Sequence, residues 1–220
     1  MVHKYWGWYH PLYFNMAVTN IDICNQALIL VGANTIASFT DNTTESQVAN
    51  QLYESTLKGH LTRARWRFAS KQAVLSKSTV DPLDRFESSY AIPADAILIH
   101  TCTVSDNVIV FDRYGDFIFT NTSTADTVVC DYTFRPHEND MPPYFTEILK
   151  FELASLFAGA IARNDNLSVL YQKRALLQLQ VARATESQTQ TTRKLRSSLL
   201  IEVRQRGALN GITAVVPSSS

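Results

Sequence analysis

The hydrophobic period of this chain changes twice, and that constrains the fold more than any other feature. Apolar residues recur every three or four positions from Ile21 to Phe68, and every second position from about Ala73 to Arg135. The three-or-four spacing returns from Phe145 onward. A single helical array or an all-β sandwich cannot accommodate both periods. The pattern predicts an α+β fold: a four-helix bundle of two N-terminal and two C-terminal helices, an inserted antiparallel β-sheet region, and an extended C-terminal tail. The 220 residues suffice for one buried core, and 45% hydrophobic against 18% charged residues excludes bulk disorder.

Thr19 or Asn20 can cap a first helix carrying Ile21, Cys24, Leu28 and Val31, with Gly32 as its stop. Ile23, Ala27 and Leu30 on the opposite side predict burial of this helix on most faces. Ile36 and Phe39 anchor the loop that follows. Thr44 and Gln47 fit a capping box for a second helix, whose stripe Ala49, Tyr53, Leu57, Leu61, Ala64 and Phe68 runs for more than five turns, with a bend expected at Gly59. The two helices read as an αα-hairpin.

Six strands are predicted, at Ala73–Lys77, Ser88–Ile92, Ile97–Val104, Val108–Asp112, Phe117–Asn121 and Thr127–Phe134. Their short connections predict an antiparallel meander. A third helix starts near Pro142 or Pro143, with Phe145, Leu149, Leu153, Leu156, Ala160 and Ile161 on one face. A fourth runs from Leu167 to Thr185 or beyond, with Leu170, Leu177, Val181 and Ala184 predicted to face inward. The expected division is an N-terminal arm or extension at 1–19, the bundle at 20–72 and 141–189, the β region at 73–140, and a basic tail at 190–220.

Residues 1–15 are aromatic-rich but lack the continuous apolar run and cleavage site of a signal peptide. Two readings stand for them: an arm that inserts aromatics into a partner, or an extension upstream of a start at Met16. No apolar run approaches the roughly 18 residues of a membrane span. Cys24, Cys102 and Cys130 are too few and too scattered for a disulfide framework or a zinc site, which points to buried thiols in a reducing compartment; Cys102 and Cys130 could lie on neighbouring strands, where a disulfide is the lesser alternative.

Twenty basic residues balance twenty acidic ones, yet the charges are segregated. From Ser78 to Ala162, Arg85, Arg113, Arg135 and Lys150 stand against thirteen acidic residues, a net of −9. From Arg163 to the end, nine basic residues stand against Asp165, Glu186 and Glu202, a net of +6. Lys58 to Lys77 holds six basic and no acidic residues. Either these are ordinary solvated faces, or they provide electrostatic complementarity between copies or with another subunit.

Chemistry-bearing patterns are sparse. No nucleophile elbow, phosphate-binding loop, dinucleotide fingerprint, zinc-protease helix or calcium loop is present, and no cofactor is expected. His100 and Cys102, two apart on a strand, form a weak nucleophile or metal pair without a third partner. Asp112 with Asp116, and Glu138 with Asp140, are carboxylate pairs in predicted turns, where turn geometry explains them as well as acid–base work does. His60 reads as a packing or surface residue of the second helix. Trp66-Arg67-Phe68-Ala69 is more distinctive: Trp66 and Phe68 seal the end of a core while Arg63, Arg65 and Arg67 decorate its outside.

Four segments stand in a fixed order: the helix Ile21–Leu28 ending at Leu30-Val31-Gly32 with Ile36 after it, and the long helix closing in Trp66–Ala69 with Ala73 and Leu75 leading into the sheet. Tyr90-Ala91-Ile92-Pro93-Ala94-Asp95 follows before a strand, and then the closing helix pair with its basic tail. In order and spacing these segments together resemble the head-to-tail adaptors of short-tailed bacteriophages, the tail tubular protein A family. The likeness covers about Ile21 to Arg204. It implies a non-enzymatic virion protein, assembled in the bacterial cytoplasm, that forms a twelvefold ring between the portal protein and the tail nozzle protein. Double-stranded DNA would pass through the bore without sequence recognition. It also implies that the bundle and tail dock on the portal, which makes Arg193, Lys194, Arg196, Arg204 and Arg206 the candidate docking residues. Trp66, Phe68 and Tyr90 are the candidate structural anchors. Two rivals from other classes are a virion-associated cell-wall hydrolase using the turn carboxylates and a DNA-binding protein using the basic tail.

Overall fold

The computed structural model describes residues 18–80, 82–123 and 126–188. Two helices precede an antiparallel β region and two follow it, so the chain is α+β as its periods predict. The first helix, α1 (Asn20–Val31), opens on a reciprocal box. Thr19 Oγ1 accepts from the Asp22 amide, and the Asp22 carboxylate accepts from the Thr19 amide at 2.9 Å. It closes on Gly32, whose φ of 74° is the left-handed conformation that favours glycine. Only Ile23, Cys24, Ala27 and Leu28 are buried, and Ile29 is exposed, so the helix has one buried face rather than the several expected. The Asn25 amide group binds both backbone groups of Ile36, at 2.8 and 2.9 Å, and pins the loop against the core.

Helix α2 (Thr44–Arg63) is capped by Thr43, one residue before the expected box, through a bond from the Ser46 amide. It ends five residues short of Phe68. Ala64 and Trp66 are extended, and a 3-10 turn follows at Arg67–Ala69. The indole is the reason. Trp66 is fully buried, its Nε1 donates to the His60 carbonyl at 2.9 Å, and its ring meets Phe145 edge-on at 5.2 Å. A continued helix would place Trp66 off the Ala64/Phe68 stripe, and burying so large a ring outweighs the helical bonds lost.

Helix α3 (Pro143–Ala160) starts with proline at its first position, where the missing N–H costs nothing. It packs against both α1 and α2, which meet each other only slightly, so the expected αα-hairpin is opened by a third helix between its arms. Its buried face includes Phe145, Ile148, Leu149, Leu153 and Phe157, while Leu156 and Ala160 are exposed, contrary to expectation. Helix α4 (Asp165–Gln188) returns antiparallel to α3. Ser168 lies beside Ser155, Tyr171 stacks on Phe151, and Tyr144 donates to Glu186.

The predicted inner face of α4 is its outer face. Tyr171, Ala175, Leu179, Ala182 and Glu186 are buried, whereas Leu170, Leu177 and Val181 are 45%, 62% and 57% exposed and Ala184 is also exposed. Polar anchors at both ends set this rotation. Tyr171 Oη donates to the Leu30 carbonyl at 2.8 Å, and the Glu186 carboxylate accepts from the Arg67 amide at 2.7 Å and from Tyr144. Ala175 and Ala182 between them let the helix sit close.

The β region is two sheets, not one meander. β1 (Ser70–Val74), β3 (Ala96–Val104), β4 (Asn107–Ile109) and β7 (Val129–Phe134) form one in the order β1-β7-β3-β4. β2 (Ser88–Ala91), β5 (Phe111–Tyr114) and β6 (Phe117–Thr120) form the other, in the order β2-β6-β5. Every pairing is antiparallel, but β7 comes from far along the chain to insert between β1 and β3. The expected single strand Val108–Asp112 breaks at the exposed Val110, where the chain crosses between sheets. Leu75, Tyr90, Cys102, Ile118, Val128, Cys130 and Tyr132 form a small core shared by both sheets, separate from the bundle core around Trp66.

Candidate interaction surfaces

Of the residues with catalytic potential, His100, Cys102 and Glu138 have structural partners. His100 lies where the β3–β7 register slips between Ile99 and Thr101, which breaks the alternation that would pair it with Cys102. Its Nε2 bonds Thr133 Oγ1 at 2.7 Å, whereas Cys102 stands directly opposite Cys130. Burial, with Arg65 nearby, holds the His100 ring below its usual pKa against the pull of Asp131. All three cysteines are buried and free. Burial pushes the Cys24 thiol up to about 12, and the hydrogen bond with Cys130 together with burial pushes Cys102 up, the opposite of thiolate activation.

The turn carboxylates occupy different settings. Asp112 is on β5 rather than in a turn, and Asp116 follows Gly115 in the β5–β6 hairpin; both are exposed. Glu138 is half-buried in a network: Arg135 donates to it at 2.7 Å, Tyr53 Oη at 3.0 Å, and Arg135 also reaches Glu54. Burial works to raise the Glu138 carboxyl, but the Arg135 bond, a backbone bond and Tyr53 outweigh it and hold the group below the usual carboxylate range. Asp140 is exposed. His60 is fully buried, with Nε2 3.6 Å from Glu152 and neither ring nitrogen hydrogen-bonded. Among the described residues no three His, Cys, Asp or Glu side chains cluster to hold a metal, and no helix is long and apolar enough to cross a membrane.

The charge segregation is partly consumed inside the chain. The basic stretch 58–77 pairs with the acidic stretch 78–162 through Arg63–Glu152, Arg65–Asp131 and Lys71–Asp95, the last two at 2.9 and 3.0 Å. Lys71 also lies over the Phe134 ring. Asp84, Glu87, Asp106, Asp112, Asp116, Asp126 and Asp140 of that stretch are left without an ion pair among the described residues. Four of these seven, Asp84, Glu87, Asp112 and Asp116, lie on or beside the β2-β6-β5 sheet. Exposed Arg85 and Arg113 share this surface, and the carboxylates outnumber them, which favours a cationic partner.

Among the described residues, two open surfaces gather exposed apolar side chains. The first is the outer stripe of α4, Leu170, Leu177 and Val181, with Val169 and Leu176 beside it and Lys173 and Arg174 between. Solvated helices rarely leave so many large aliphatic side chains outside. The second is a hollow of about 510 Å³ on the β2-β6-β5 sheet, walled by Val80, Leu83, Phe86, Tyr114 and Phe119 with Asp84 and Arg85 on its rim. Ser89 donates to the Val80 carbonyl, and Arg85 takes a positive φ and bonds Tyr114 Oη at 2.8 Å, so the strap forming one wall is tied down at both ends. Tyr114 and Phe119 meet edge-on at 5.4 Å.

Of the anchors expected from the sequence, Trp66 seals the bundle, Phe68 packs half-buried against Phe145 at 4.9 Å, and Tyr90 is buried in the sheet core. Arg193, Lys194, Arg196, Arg204 and Arg206 lie outside the described residues, as do the arm at 1–15 and the tail at 190–220. Neither open surface is apparent from the amino-acid sequence. The available signal for the hollow was Phe117 and Phe119 flanking Ile118: at a period of two, a buried Ile118 turns both aromatics to the other face. No protein-family model matches the chain, and no curated protein matches it.

Proposed function

We propose that this chain is a virion structural protein, a ring-forming head-to-tail adaptor that joins the portal to the tail nozzle of a short-tailed phage and forms part of the channel for DNA ejection. The observation that carries it is the element order, helix pair, antiparallel β region, helix pair, with the segments of resemblance at its joints. Gly32 ends α1, the Trp66–Ala69 segment turns the bundle into β1, and the Tyr90–Asp95 step leads from β2 into β3. Assembly also suits a surface with a large exposed aliphatic stripe on one element and unpaired carboxylates on another, since subunits of a ring need two unlike faces. A net-negative sheet region would repel passing DNA, and a basic tail would seat on an acidic portal surface.

Native mass measurement of the full chain mixed with the portal protein of the same virion tests this. A discrete ring, twelve copies per portal, is expected; a chain that stays monomeric beside an intact portal contradicts it. Reversing the charge at Arg193, Lys194, Arg196, Arg204 and Arg206 should weaken docking while the helical circular dichroism stays unchanged. Docking that survives the reversal would transfer the contact from the tail to the bundle.

A further inference from the structure

We propose that the aromatic hollow on the β2-β6-β5 sheet is the seat for the outer stripe of α4 from a second copy of this chain. This rests on the ring-forming reading above and names the contact that would build the ring. The stripe and the hollow differ in kind. One is convex, aliphatic and cationic, with Leu177 and Val181 adjacent at i and i+4 and Lys173 and Arg174 one turn before them. The other is concave and aromatic, with one carboxylate, Asp84, and one guanidinium, Arg85, on its rim. Asp112 is paired across β5–β6 with Phe119, on the face that carries Tyr114.

Charge selects the occupant. Among the described residues Asp84 and Asp112 have no ion pair, because the nearby Arg85 and Arg113 turn their guanidinium groups to Tyr114 Oη and the Gly115 carbonyl. Lys173 has no salt bridge among the described residues, and Arg174 lies over the Tyr171 ring with its charge at the surface. Apolar burial would supply most of the attraction, and the cation–carboxylate pairs would fix register and reject like-with-like contact. Both surfaces are exposed in the single chain, so they do not satisfy each other within it. Since the two patches share no residue, their contact is heterologous, the class that closes into rings or runs on as filaments.

The experiment mixes two full-length variants, Leu177→Cys and Leu83→Cys, and bridges them with a short bismaleimide. The three native thiols are buried and leave a single reactive cysteine on each chain. At roughly millimolar protein, where weak contacts are populated, the unlike adduct should exceed either like adduct by about tenfold. The pair Lys173→Glu with Arg174→Glu should lower its yield, and Asp84→Lys with Asp112→Lys on the other chain should restore it. Equal yields of all adducts, or no rescue by the reversed pair, would overturn the proposal. So would a Leu83→Cys thiol already shielded in the isolated chain, which would assign the hollow to a segment of the same molecule. If rings form on the portal while the unlike adduct fails, only this contact is wrong; if the adduct forms and no ring does, the contact stands and the adaptor reading falls.

Discussion

The helical bundle and the β region differ in what they bury and in what they leave outside. Among the described residues, twenty-one buried apolar residues form the bundle cluster and seven form the sheet cluster, so the larger share of hydrophobic stabilisation lies with the helices. Trp66, Phe145 and Phe157 fill the first; the second is mostly β-branched, thiol and tyrosine side chains. The outsides reverse this. Most basic side chains near α2 are engaged by acidic partners, whereas the β2-β6-β5 sheet exposes an aromatic hollow and unpaired carboxylates. One region holds the fold together, and the other offers a surface. The outer stripe of α4 is the bundle's exception, and for that reason it is the bundle's candidate contact.

The largest effect should come from breaking the bundle where it is most filled. Trp66→Ala leaves a cavity and an unpaired His60 carbonyl, and should cost about 3–5 kcal/mol in chemical denaturation. A loss under about 1 kcal/mol would mean that the bundle does not set global stability. Next comes the anchor of α4. Glu186→Ala removes the acceptor for both the Arg67 amide and Tyr144, and should cost about 1–3 kcal/mol and speed amide exchange in the last turns of α4. Unchanged exchange there would show that packing alone sets the rotation of the helix.

The seam between the regions responds to pH. The folded Glu138 carboxyl is held below its usual range, so its stabilisation is fully present above that range and is lost as pH falls through the folded value. Arg135→Met should cost about 1 kcal/mol at neutral pH and flatten the decline of stability below about pH 4.5. An acid limb of the same slope in the variant would remove this pair from the seam. Ile118→Val in the sheet core should cost about 0.5–1.5 kcal/mol. If it cost as much as Trp66→Ala, the contrast between the two cores would be wrong. Smallest of all, Leu83→Asp should change stability by less than about 0.5 kcal/mol, since that side chain is fully exposed.

Local signals in the chain were reliable where one residue decides the outcome. Thr19 and Gly32 bound α1, Pro143 opens α3, and the change of period marks the β region to within a few residues. The errors came where distant groups decide. The stripe Leu170, Leu177, Val181 is more hydrophobic than Tyr171, Ala175, Leu179, Ala182, so apolar content favoured the wrong face. The true rotation depends on Leu30, Arg67 and Tyr144, which lie far away in sequence. The α2 stripe could be extended to Phe68 on spacing alone, because nothing local shows that the Trp66 indole turns back to His60. Strand order has the same origin: β7 beside β1 is a pairing some sixty residues apart. The hollow depends on a strap, a hairpin and a sheet meeting, which no single segment encodes.

The proposed function depends on assembly on a portal. Negative-stain imaging of the full chain with its portal, viewed down the axis, should show an added ring whose spokes match the portal symmetry and which is lost in Leu177→Asp/Val181→Asp. A portal that carries no added density at saturating protein, with the chain folded and monomeric in the background, would contradict the proposed adaptor function outright.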